Sequence, residues 1–73
     1  MLQEQHEQFK DAIVNAIEGG TWSEVDSSFE EWKKAGPDPD DCKDMCFMLI
    51  EQGDILSSNL STVKQMVQEV ENL

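Results

Sequence analysis

Apolar positions along the chain fall into four stretches with spacings of three and four, each bounded by residues that start or stop helices. In the first stretch Leu2, Phe9, Ala12, Ile13, Ala16 and Ile17 share one stripe, with His6 on it. That stripe predicts a helix over residues 2–18, with His6 partly exposed on its edge. Gly19-Gly20 ends it, because glycine reaches the left-handed cap conformation without a Cβ clash. In the second stretch Trp22, Val25, Phe29 and Trp32 face one way, while Asp26, Ser27, Glu30, Glu31 and Lys34 face the other. A helix over 22–34 follows. Thr21-Trp22-Ser23-Glu24 has the form of a capping box, in which the Thr21 hydroxyl and the Glu24 carboxylate satisfy each other's backbone N–H. Lys33 and Lys34 suit the negative end of the helix dipole, and Ala35-Gly36-Pro37 breaks the helix.

The third stretch predicts a helix over 39–52. Asp38 is a good N-cap, Pro39 fits the first helical position, and Asp40 and Asp41 suit the positive dipole end. Cys42, Met45, Cys46, Phe47, Met48, Leu49 and Ile50 then make the segment apolar nearly all round. A helix of that kind is expected at the centre of the fold, more buried than the others. Gly53 is expected to end it, with Ile55 and Leu56 in the connection. Ser57-Ser58-Asn59 offers caps for a fourth helix over 59–72, whose stripe is Leu60, Val63, Val67 and Val70, flanked by Met66 and Leu73. No stretch alternates with period two for long enough to form a strand. The pattern predicts an all-α fold, one small domain over residues 1–73 built as a bundle of four short helices.

Charge adds a constraint that the apolar pattern does not carry. The 73 residues include 16 Asp or Glu and five Lys, for a net charge of −11, and no Arg. Such a chain repels polyanions and lacks bidentate phosphate forks, which argues against direct nucleic-acid binding. The charge is uneven: residues 35–54 carry −5, whereas residues 55–73 carry −1. An acidic end of this kind suits a partner with a basic patch, since complementary potentials speed encounter and fix register.

Candidate chemistry is sparse. Asp38 to Asp44 has the look of a calcium loop, but Cys42, Lys43 and Leu49 stand at positions five, six and twelve, where an oxygen ligand, the turn glycine and the closing Glu belong. Cys42, Cys46 and His6 give three zinc-type ligands without paired spacing, and zinc commonly takes four. Cys42 lies near a helix start, yet Asp40, Asp41 and Asp44 beside it oppose a thiolate. The chain is similar to acyl carrier proteins in size, acidity and helix count. It lacks their Asp-Ser-Leu attachment motif, because Ile55 stands in the serine place of Gly53-Asp54-Ile55-Leu56-Ser57. No cofactor, metal or catalytic group is therefore expected. The N-terminus has neither a basic start nor an apolar run, and no segment approaches membrane-spanning length. Reduced thiols and a cytoplasmic location are the expectation, and the glycosylation triplet Asn59-Leu60-Ser61 is expected to be idle.

These readings converge on a non-enzymatic regulator that binds a larger protein through an acidic surface. Small acidic proteins of bacteriophages act in this way on host nucleic-acid machines such as RNA polymerase, nucleases or CRISPR effectors, and in the host cytoplasm. The candidate partner-binding residues are Asp38, Asp40, Asp41, Asp44, Trp22 and Trp32. The alternative is a self-associating structural or adaptor subunit, a homodimer in its simplest form, using the Leu60–Val70 helix face.

Overall fold

Four α-helices form where the apolar stripes lie: α1 Gln3–Glu18, α2 Trp22–Lys34, α3 Pro39–Ile55 and α4 Leu60–Glu71. The computed structural model describes residues 1–55 and 60–73, with the side chains of 54 and 55 excepted. The Ser57-Ser58-Asn59 caps, Leu56 and the Asn59 acceptor lie outside the described residues. Helices α1 and α2 pack as one antiparallel pair and α3 and α4 as another, and α1 meets α3 where the pairs join. The radius of gyration, 11.1 Å, is that of a folded chain of this length. Among the described residues, no helix is long and apolar enough to cross a membrane.

The turn between α1 and α2 is a Schellman motif. Gly20 takes φ 71°, its N–H donates to the Ile17 carbonyl (3.1 Å), and the Thr21 N–H donates to the Ala16 carbonyl (2.9 Å). That geometry corrects the expectation of a capping box at Thr21. Its backbone, φ −94° and ψ 74°, is turned away from the extended N-cap conformation, and its hydroxyl makes no capping hydrogen bond. A reciprocal box forms instead at the start of α3. The Asp41 N–H donates to Asp38 Oδ1 (2.8 Å), and the Asp38 N–H donates to Asp41 Oδ2 (3.2 Å).

The core draws on all four helices: Ile13, Ala16 and Ile17 from α1, Val25, Phe29 and Trp32 from α2, Met45 and Leu49 from α3, and Val63, Met66 and Val70 from α4. Phe29 and Trp32 stack at 5.9 Å between ring centroids. Lys33 sits 4.8 Å over the Phe29 ring and pairs with Glu30 (2.7 Å) and with Glu69 of α4 (3.4 Å). These contacts raise the Lys33 pKa, chiefly through the Glu30 hydrogen bond.

Three expectations change. Helix α3 has the largest share of buried or partly buried positions among the described residues, but it is not enclosed all round: Met45 and Leu49 point inward, whereas Phe47 and Ile50 remain 61% and 48% exposed. One side of this apolar helix therefore stays in water. Gly53 does not end α3, which continues to Ile55. The glycine is buried in the helix against α4, where a Cβ would stand 3.2 Å from Val63 Cγ1 and 3.3 Å from Leu60 Cδ1. In α1, Leu2 and Ala12 are exposed, because Leu2 precedes the first turn and Ala12 lies at the stripe's edge.

Total stability for a chain of this length is roughly 4–11 kcal/mol. Phe29→Ala is expected to remove about 3–5 kcal/mol of it. Gly53→Leu is expected to lower the urea midpoint by wedging α3 from α4. Equilibrium urea unfolding followed by far-UV circular dichroism measures both. A Gly53→Leu midpoint equal to that of the parent would place the α3–α4 approach elsewhere.

Candidate functional site

The acidic end of the bundle is organised around a buried histidine. His6 projects from the first turns of α1, where the chain presents it to α2 and α3 together, and it is 3% exposed. That corrects the expectation of partial exposure. The Trp32 indole Nε1–H donates to His6 Nδ1 at 3.1 Å. Indole nitrogen can only donate, so Nδ1 is the acceptor and the imidazole proton sits on Nε2. Nε2 lies 2.8 Å from Asp44 Oδ2, to which it donates. Asp44 Oδ2 also accepts from Lys10 Nζ at 2.7 Å. Lys10 in turn reaches Glu7 at 3.4 Å.

The protonation states follow from these contacts. The Lys10 hydrogen bond, and after it the His6 one, holds the Asp44 carboxyl below the usual carboxylate range against the opposing pull of burial. Asp44 does the reverse for Lys10, whose pKa is raised chiefly by their hydrogen bond. Asp41 Oδ1 stands 3.9 Å from His6 Nδ1, beyond hydrogen-bonding distance, and Asp41 Oδ2 lies 3.5 Å from the Met1 amino group.

The six residues singled out from the sequence do not form one surface. Asp41 and Asp44 are tied inward, to the α3 cap and to His6 and Lys10. Asp38 is exposed but serves as the cap. Asp40 is exposed and makes no hydrogen bond or ion pair among the described residues. Trp32 is 0% exposed, so it offers no contact to a partner, because its indole is enclosed between Phe29 and His6. Trp22 is half-buried against the core at the start of α2. It lies ten residues, about 15 Å of helix, from Trp32 and hence at the far end of the bundle from the acids.

Cys42 and Cys46 are free thiols, both partly buried against the core. They line a groove of about 510 Å³ with Pro37, Pro39, Val70 and Leu73, whereas His6 lines a separate acidic depression with Asp38, Asp40, Asp41 and Asp44. The structure therefore does not bring the three zinc-type ligands together. Burial raises both thiol pKa values. Asp41 and Asp38 add to the rise at Cys42, and Glu71 and Cys42 add to it at Cys46. Thiols held in the protonated form are weak nucleophiles at neutral pH.

The Leu60–Val70 face of α4 is mostly turned inward. Val63 and Val70 are buried, and Leu60 and Val67 keep partial exposure. Sequence reasoning missed the His6–Trp32 contact, which joins residues 26 apart. The signal lay in a polar residue placed on an apolar stripe. Compared with models of protein families, with curated proteins and with solved structures, the chain matches none.

Trp32→Phe keeps most of the ring but removes the N–H, leaving His6 Nδ1 buried without a donor. A loss of about 1–3 kcal/mol is expected in urea unfolding, and a loss near zero would remove the hydrogen bond from the account. Asp44, with its lowered pKa, stabilises the fold above the ordinary Asp range near 3.9. That contribution disappears as pH falls through its folded pKa. Asp44→Asn is therefore expected to lower stability at pH 7 and to flatten the acid limb of a stability–pH curve. Parallel acid limbs for parent and variant would contradict this.

Proposed function

We propose that the protein is a non-enzymatic binding module that acts on a larger protein through its acidic surface. The observation that carries this reading is charge left over after folding. The internal pairs engage Lys10, Lys33 and the Met1 amino group. Glu4, Asp11, Glu24, Asp26, Glu31, Asp40 and Glu51 remain exposed and outside every ion pair among the described residues. With five Lys and no Arg in the chain, that excess has little internal compensation. A field of this sign steers toward a cationic partner and away from nucleic acid.

The partner class that fits is a nucleic-acid enzyme, whose own polyanion-binding surface is basic. RNA polymerases, nucleases and CRISPR effectors are of that class, and a bacteriophage-encoded inhibitor would act on them in this way. Asp40 is the contact residue favoured among the Asp38–Asp44 acids, since the other three have structural partners. The alternative, a self-associating adaptor or assembly subunit, would have to use Leu60 and Val67, because the rest of the Leu60–Val70 face packs inward.

Immobilised protein is expected to retain a nucleic-acid enzyme from a bacterial lysate at low salt and to release it as salt is raised above the physiological range, about 0.15 M. Asp40→Lys is expected to weaken that retention several-fold at low salt, with the difference fading as salt screens it. Retention that ignores both salt and Asp40→Lys, or the absence of any such enzyme by mass spectrometry, would overturn the reading.

A further inference from the structure

The outward side of α3 presents apolar surface that the fold leaves in water. Phe47 and Ile50, one turn apart, are 61% and 48% exposed, and Leu60 of α4 is 37% exposed. Ile50, Leu60, Val63 and Val67 line a shallow groove of about 400 Å³ between α3 and α4. Apolar side chains one turn apart beside an interhelical groove are what a third helix packs into.

Two observations decide the occupant. A second copy of this chain would bring another −11 to the same surface, so like charge opposes a homodimer. The three side chains also expose on the order of 300 Å² together, short of the ~800 Å² per partner that a stable interface buries. A partner of opposite charge is not subject to that repulsion, and its contacts extend past the patch to the rim. On α3, Asp40 and Glu51 stand two turns and one turn from Phe47 on its exposed side, and Glu71 borders the groove on α4. Lys43 and Lys64 interrupt this rim and mark where carboxylates of the partner would fall.

We propose that Phe47, Ile50 and Leu60 form the docking face for a basic amphipathic helix of the partner protein, its apolar side in the α3–α4 groove and its cations over Asp40, Glu51 and Glu71. The proposal rests on the acidic binding module described above and names the place where that module makes its apolar contact.

The test uses the full chain and a fluorescently labelled synthetic amphipathic helix of leucine and lysine, read by anisotropy at low salt. A scrambled peptide of the same composition, which cannot present one apolar side, is the control. The parent is expected to bind the amphipathic peptide more tightly than the scrambled one. Phe47→Ser with Ile50→Ser is expected to weaken the amphipathic peptide by roughly 30-fold. Both residues are exposed, so the pair should retain the parent's circular dichroism spectrum. If the pair does not fold, amide shift mapping on the parent decides: peptide should perturb residues 43–51 and 60–67. Shifts confined to α1 and α2 would overturn the proposal. Equal binding by parent and serine pair, or equal binding of both peptides, would overturn the docking face while leaving a basic partner in place. Failure of the parent to bind either peptide would overturn both. A dimer in sedimentation that the serine pair abolishes would make this face a self-interface and overturn the proposal.

Discussion

One chain of hydrogen bonds, buried at its first link and part-buried at its second, sets the arrangement of the fold: Trp32 Nε1–H to His6 Nδ1, and His6 Nε2–H to Asp44. It runs from α2 through α1 to α3 and so links the two helix pairs at their meeting place. Imidazole suits this position because its two nitrogens accept and donate along nearly opposite directions. The arrangement leaves no buried side-chain nitrogen or oxygen without a partner among the described residues. It also fixes the rotation of α3. With Asp44 held to α1 and with Met45 and Leu49 in the core, Phe47 and Ile50 are turned outward by the 100° step of the helix.

The same constraint divides the acidic residues by role. The segment from Ala35 to Asp54 carries −5, but Asp38 and Asp41 cap α3 and Asp44 holds His6 and Lys10. The densest acidic run in the chain is thus largely structural. The charge left for encounter is spread over α1, α2 and the outer side of α3. In the proposed binding role, attraction to a cationic partner would be a property of the whole surface, and orientation would come from its apolar residues.

Helix positions were legible in the sequence because each stripe of three and four spacings is a local signal. The four helices begin and end within a few residues of the stripes, except at Gly53. That glycine read as a stop because it is a weak helix former, yet it serves as the site of close approach by Val63 and Leu60 on another helix. The capping boxes show the same limit. Thr21-x-x-Glu24 has the better sequence form, but the Schellman turn fixes the Thr21 backbone away from it, and Asp38-x-x-Asp41 makes the reciprocal bonds. The candidate site was less legible. Six acidic and aromatic residues were marked by type, and type does not reveal which are committed to partners 26 to 38 residues away. Exposure of Phe47 and Ile50 was hidden for a related reason, since the apolar residues of a helix do not show which of its sides its neighbours cover.

The tautomer of His6 is the sharpest test of the Trp32–His6–Asp44 chain. Long-range proton–nitrogen NMR spectroscopy at neutral pH distinguishes the two ring nitrogens by their shifts. The hydrogen-bond chain requires a ring protonated on Nε2, with Nδ1 as an acceptor and the Trp32 indole N–H protected from exchange. A ring protonated on Nδ1, together with a rapidly exchanging Trp32 N–H, would mean that the chain from α2 to α3 does not form and that the orientation of α3 has another cause.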